Sequence, residues 1–115
     1  MARVLVVDDD PDLRMLIDMH VARLGHEVVT ACDGEQALAL LLGAGIDLLV
    51  VDNFMPKLTG VEVVMALRAQ ARSVRLPVIM VSALGPGEAD VDVSLPKPFS
   101  LKVLAAHVER LLSAA

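Results

Sequence analysis

Leu48-Leu49-Val50-Val51-Asp52 is the stretch that decides the fold: four apolar residues run into one carboxylate, and Asn53-Phe54-Met55-Pro56 turns the chain away. A short continuous apolar run suits a strand buried on both faces, as in a parallel sheet. Its last residue then stands at the carboxyl edge of the sheet, where open α/β folds place their ligands. Val4-Leu5-Val6-Val7, followed by Asp8-Asp9-Asp10, repeats the pattern near the start of the chain. If these two strands are neighbours, several carboxylates converge in one pocket.

Outward from these runs, strands and helices alternate. Arg3 to Val7 reads as the first strand, and Asp10-Pro11 opens a helix with Pro11 suited to its first position. Leu13, Leu16, Ile17, Val21 and Leu24 form the apolar stripe of that helix, and Gly25 closes it. His20 falls on the stripe as a packed or edge histidine, while Met15 and Met19 lie off it. His26 to Ala31 is a second strand. A second helix follows Asp33-Gly34, marked by Ala37, Leu38, Leu41 and Leu42. Ile46 to Asp52 is the third strand. Thr59-Gly60-Val61-Glu62 has the capping-box pattern that starts a helix, with Val63, Val64 and Leu67 on its apolar side. Pro77 to Ser82 is the fourth strand. Ser100 caps a final helix built on Leu101, Leu104, Ala105, Val108, Leu111 and Leu112. This alternation implies right-handed crossovers and a parallel sheet covered by helices on both faces.

With 115 residues, the chain is expected to form one domain, residues 1–115. No apolar segment approaches the ~18 residues of a membrane span, and the N-terminus lacks the pattern of a signal peptide. Cys32 stands alone, which excludes an internal disulfide. These points predict a soluble cytoplasmic protein with no membrane partner. Net charge is −5 and the ten Lys and Arg residues are scattered, so no nucleic-acid partner is expected.

Four features line up: Asp8-Asp9 after the first strand, Asp52 after the third, Ser82 after the fourth, and Lys97-Pro98-Phe99 before the last helix. Together they resemble the CheY-like receiver domain of two-component response regulators, across essentially the whole chain. The resemblance implies a flavodoxin-like, doubly wound, five-stranded parallel sheet of order 2-1-3-4-5. It implies phosphorylation of Asp52 with Mg2+, donated by a sensor histidine kinase or phosphotransfer protein and read by a downstream protein. Asp9, Asp52 and the backbone carbonyl of Phe54 resemble the direct metal ligands, and Asp8 would act mostly through a bound water. Lys97, Ser82 and Ala83 would contact the phosphoryl group. In the family the Lys97–Pro98 bond is cis, which proline permits. The residue types suit the chemistry. An exposed carboxylate can attack phosphorus if the phosphoryl oxygens are neutralised, Mg2+ prefers oxygen ligands, and a cation relieves crowded like charges. Such a domain catalyses only its own phosphorylation and dephosphorylation. Asp10 and Asp12 read instead as helix cap and first-turn acid. A metal-dependent phosphatase with Asp8 as nucleophile and Asp10 as acid is a poor rival, because no chain remains for a substrate cap.

Departures from the family bear on output. From Ser82 to Lys97 is 15 positions, about seven fewer than the family's usual spacing, or two helical turns. The missing piece is the fourth helix. Residues 84–92 have poor helix chemistry, yet about ten residues suffice for a crossover, so a loop or single turn is expected there. One face of strands four and five would then lose its cover, and exposed apolar area there predicts a homodimer. Ser94 stands where the family places a bulky switch residue. These departures motivate an alternative, a receiver-like protein-binding module that works without phosphorylation. Phe54 and Leu84, each two residues after a site residue, would flank the phosphoryl group and hinder an attacking water. Because the chain stops just after the last helix, a stand-alone receiver acting through protein contact is expected, or one whose output module lies outside this stretch.

Overall fold

The computed structural model describes residues 2–70, 75–82 and 90–113. Through them the chain runs β1 (Arg3–Val7), α1 (Pro11–Ala22), β2 (Glu27–Ala31), α2 (Gly34–Gly43), β3 (Leu48–Asp52), α3 (Gly60–Arg68), β4 (Val78–Ser82), β5 (Val93–Pro96) and α4 (Leu101–Ser113). The five strands form one parallel sheet in the order β2-β1-β3-β4-β5. This is the doubly wound order expected from the resemblance. Val7 of β1 is level with Val51 of β3, so Asp8 and Asp52 leave the sheet side by side at the same edge.

Period-two alternation divides the apolar residues between two faces. Leu5, Val7, Leu49, Val51, Val78 and Met80 pack with Ala37 and Leu41 of α2 and Val63, Val64 and Leu67 of α3. Val4, Val6, Leu48, Val50, Ile79 and Val81 pack with Ile17 and Val21 of α1 and Leu104 and Val108 of α4. Every residue of β3 and β4 is buried, which is why those runs read as continuous rather than alternating. At roughly 1.5–3 kcal/mol for each fully buried Val, Leu or Ile, these two layers hold the sheet edge in place.

Local signals set the helix starts. The Asp10 carboxylate accepts from Asp12 N at 3.0 Å and Leu13 N at 3.4 Å, with Pro11 at the first position. Thr59 Oγ1 accepts from Glu62 N at 3.1 Å, and Glu62 accepts from Thr59 N at 3.0 Å. Ser100 Oγ accepts from Val103 N at 3.3 Å. α1 ends at Ala22 with Arg23 as its C-cap, and Gly25, at φ +95°, turns the chain just beyond it rather than closing the helix as expected.

Several boundaries and faces differ from the sequence expectations. β2, β3 and β4 begin one or two residues later than His26, Ile46 and Pro77. The His26 ring accepts from Ala2 N, Asp47 turns its carboxylate to Arg3 N, and Pro77 has no N–H to donate. Leu16 and Leu42 are 42% and 66% exposed, so the apolar stripes of α1 and α2 are narrower than the spacing suggested. Among the described residues no helix lies between β4 and β5; the replacement expected over 84–92 falls largely on residues 83–89, which are outside those described. Of the two strands from which a homodimer was expected, β4 is buried throughout, whereas β5 is partly buried at Val93, Ser94 and Leu95 and exposed at Pro96. Val78 and Met80 are buried in the α2/α3 layer. Val93 and Leu95 pack on the opposite layer, leaving Ser94 and Pro96 on the side the fourth helix would have covered.

Candidate functional site

Three carboxylates meet at the carboxyl edge of β1 and β3. Asp8 and Asp52 are buried and Asp9 is exposed, and an oxygen of each lies within 4.8 Å of the others. Lys97 reaches them from the segment after β5, its Nζ 3.4 Å from Asp8 Oδ2 and 3.3 Å from Asp52 Oδ2. Lys97 N donates to Ser82 O at 3.0 Å, which ties that segment to the end of β4. The Lys97–Pro98 peptide is cis. Ser82 is fully buried one residue beyond Val81, the register partner of Asp52. The structure thus brings Asp8, Asp9, Asp52 and Lys97 together and sets Ser82 on the neighbouring strand end. Ala83 and Leu84 lie outside the described residues. The Phe54 side chain is half exposed, and its N–H donates to Asp52 Oδ1 at 3.4 Å. Asp10 is engaged as the α1 cap and Asp12 is exposed, as expected for both.

The loop after Asp52 is braced by residues that composition does not advertise. Gly60 N donates to Asn53 O at 2.9 Å and Val61 N to Asn53 Oδ1 at 3.0 Å. A Cβ on Gly60 would lie 2.6 Å from Asp52 O and 2.9 Å from Asn53 Cα, so the helix start packs directly on the acid's own backbone. Sequence reasoning assigned no role to Arg14, whose guanidinium donates to Asp8 O at 2.8 Å. Its position off the apolar stripe of α1, one turn past the acids, was the available signal.

Burial dominates the electrostatics. Desolvation pushes the Asp52 carboxyl above the usual range, against the Lys97 ammonium and with the help of Asp9. Asp8 is also raised, chiefly by desolvation and further by Asp52, while the Asp10 N–H and Lys97 oppose. Partial burial pulls the Lys97 ammonium down, but Asp8 and Asp52 outweigh it and hold it above its ordinary value.

This donor set fits a hard divalent cation. Three carboxylates and one ammonium leave an excess of negative charge. Ligand oxygens around an octahedral Mg2+ stand roughly 3–4 Å apart, so a modest rotation from the observed 4.8 Å spread suffices.

A parallel sheet of order 2-1-3-4-5 with acids and a lysine at its carboxyl edge defines a CheY-like α/β protein. Residues 4–109 match the response regulator receiver domain, and the chain belongs to that family, whose members are phosphoacceptors in two-component signalling and bind Mg2+ at the acidic cluster. A receiver domain of a Francisella response regulator is 34% identical, with a TM-score of 0.89 and 97% of each chain covered. The response regulator TrrA of Thermotoga maritima, solved in complex with Mg2+ and BeF, is 31% identical with a TM-score of 0.85, covering 96% of this chain and 99% of that one. RpaA of Synechocystis, described as a DNA-binding dual master transcriptional regulator, is 34% identical over 97% of this chain and 49% of its own length. The chain spans about half the length of the curated relatives it matches. With a DNA-binding regulator among those relatives, the expectation of no nucleic-acid partner finds no support. No helix among the described residues is long and apolar enough to cross a membrane.

Proposed function

We propose that residues 1–115 act as one cytoplasmic receiver domain whose phosphoacceptor is Asp52. The observation that carries this reading is the Lys97 ammonium, 3.3–3.4 Å from Asp52 and Asp8, facing a carboxylate cluster 4.8 Å across. An Asp52 carboxylate oxygen attacks the phosphorus of a donor, a phosphohistidine or an acyl phosphate. The P–N or P–O bond to the donor breaks, the leaving group departs with that electron pair, and an acyl phosphate remains on Asp52. Asp8, Asp9, Asp52 and the Phe54 carbonyl would hold Mg2+, which when bound neutralises charge on the phosphoryl oxygens. Lys97 pairs with one phosphoryl oxygen in place of Asp52 Oδ2, and Ser82 and Ala83 hydrogen-bond another. Burial of Asp8 and Asp52 strengthens each of these contacts, because the local dielectric is low. The donor is a sensor histidine kinase or phosphotransfer protein, and a downstream protein reads the phosphorylated surface. The domain is a regulatory phosphoacceptor that turns over no separate substrate.

Incubation with Mg2+ and acetyl phosphate should add one phosphoryl group to the intact protein, lost in Asp52→Asn. An unchanged mass under rapid quenching rejects the reading. Ser94, on β5 level with Met80, favours a second reading, in which a protein partner binds without phosphorylation because no bulky switch residue occupies that position. A partner whose affinity is the same for the wild type and Asp52→Ala would support it, and sharp discrimination between them would exclude it.

A further inference from the structure

Arg14 sits within the first turns of α1, and its guanidinium turns back to donate to the main-chain carbonyl of Asp8 at 2.8 Å. That carbonyl belongs to the peptide joining Asp8 to Asp9. Around it the chain is already cross-linked. Asp8 Oδ1 accepts from Asp10 N at 2.9 Å, Asp8 N donates to Ala31 O at 3.3 Å, and Arg14 N donates to Asp10 O at 3.0 Å. Asp10 caps the helix that carries Arg14, so turn and helix close on each other through this side chain.

Each part of this circuit fixes a different degree of freedom. The bond from Asp10 N orients the Asp8 carboxylate, and the cap sets the direction of α1. The Arg14 bond fixes the plane of the Asp8–Asp9 peptide. Rotation of that plane swings the next side chain, and Asp9 is the exposed member of the cluster, so burial does not hold it. Asp8 and Asp52, in contrast, are held by burial. Among the described residues the cation that faces the carboxylates is Lys97; Arg14 acts on the main chain.

We propose that Arg14 is a positioning residue that keeps Asp9 within reach of a divalent cation shared with Asp8 and Asp52. The inference rests on reading that cluster as the Mg2+ site. Hydrogen-bond partners of ligating groups typically change metal affinity ten- to a hundredfold; Arg14 acts one step further back, on the main chain between two ligands, so the lower end of that range is expected.

The test compares wild type, Arg14→Met and Arg14→Lys as the whole chain. Magnesium affinity is measured by calorimetry with MgCl2 alone, Tm in EDTA, and phosphoryl uptake from acetyl phosphate across a Mg2+ series. Arg14→Met keeps the apolar stem and removes the donor, and it should bind Mg2+ about tenfold more weakly. Its uptake at saturating Mg2+ should match the wild type, and Arg14→Lys should recover most of the affinity. A merely structural role would lower Tm and the maximal rate without this split. If Arg14→Met folds and binds Mg2+ as tightly as the wild type, the proposal is overturned. Should Arg14→Met fail to fold, Arg14→Leu, which likewise lacks a donor, bears the same expectation and the same refutation. A wild type that binds Mg2+ but takes no phosphoryl group defeats the phosphoacceptor reading, while calorimetry still decides the role of Arg14. A wild type that binds no Mg2+ overturns both.

Discussion

Neutralising Asp52 as Asp52→Asn should stabilise the domain when divalent cations are removed. Asp52 is 4% exposed, and its carboxylate shares a space 4.8 Å across with those of Asp8 and Asp9. At an effective dielectric constant of about 20, unit charges at the outer limit of that space, 4.8 Å apart, repel by about 3.5 kcal/mol. On the same scale Lys97, 3.3 Å away, attracts Asp52 by about 5 kcal/mol. The charge is therefore disfavoured chiefly by desolvation, with Asp9 adding to it, and this outweighs the attraction of Lys97 by a net amount on the order of 2 kcal/mol. For a domain of this size that corresponds to a rise in Tm of roughly 5–10 °C. The effect has a pH signature. Both Asp52 and Asp8 are raised above the ordinary carboxyl value of 3.8. Between the ordinary and the raised value the folded state binds more protons than the unfolded one, so stability falls as pH rises through that window. The advantage of the variant should be full near neutral pH and vanish as pH falls toward 3.8. Thermal melts followed by circular dichroism in EDTA, from about pH 7 to about pH 4, measure both features. A variant less stable than the wild type at neutral pH, or a gap indifferent to pH, would refute the reasoning. Saturating Mg2+ should shrink the gap, because binding to the folded wild type stabilises it by mass action.

Gly60→Ala should destabilise the domain by about 1–3 kcal/mol and slow phosphoryl uptake, since its Cβ would meet the backbone of Asp52 and Asn53 at 2.6 and 2.9 Å. Urea unfolding and the uptake assay check this, and a neutral result would mean the α3 start is free to shift. Arg68 donates to Leu76 O at 2.6 Å and Asp90 O at 3.1 Å and lies 3.5 Å from Asp92. It anchors the approach to β5, so Arg68→Ala should cost about 1.5–3 kcal/mol and speed amide exchange in β5 more than in β2. Uniform exchange across the sheet would contradict that role.

The elements were legible because local chemistry writes them. Continuous apolar runs mark strands buried on both faces, as β3 and β4 are, and Asp10-Pro11 and Thr59-x-x-Glu62 place helix starts through bonds that span three residues. Errors arose where distant partners decide. Leu16 and Leu42 have helical spacing, yet no element among the described residues covers them. Ser94 and Pro96 of β5 lie on the side the fourth helix would have covered and Val93 and Leu95 on the other, a division that spacing alone does not assign to a face.

Sequence by itself determined that the chain alternates strand and helix, that acids terminate two buried strands, and that a lysine precedes the last helix. Periodicity and capping are properties of neighbouring residues, so one dimension is enough to carry them. Periodicity did not decide that β1 and β3 are adjacent, which the family resemblance implied and the tertiary structure has; tertiary structure alone decided that Lys97 lies 3.3 Å from Asp52 and that Arg14 closes on the Asp8 carbonyl. Those distances depend on how the sheet is ordered and how helices lie on it. That order is selected by burial of both faces at once, a condition satisfied only by the whole chain.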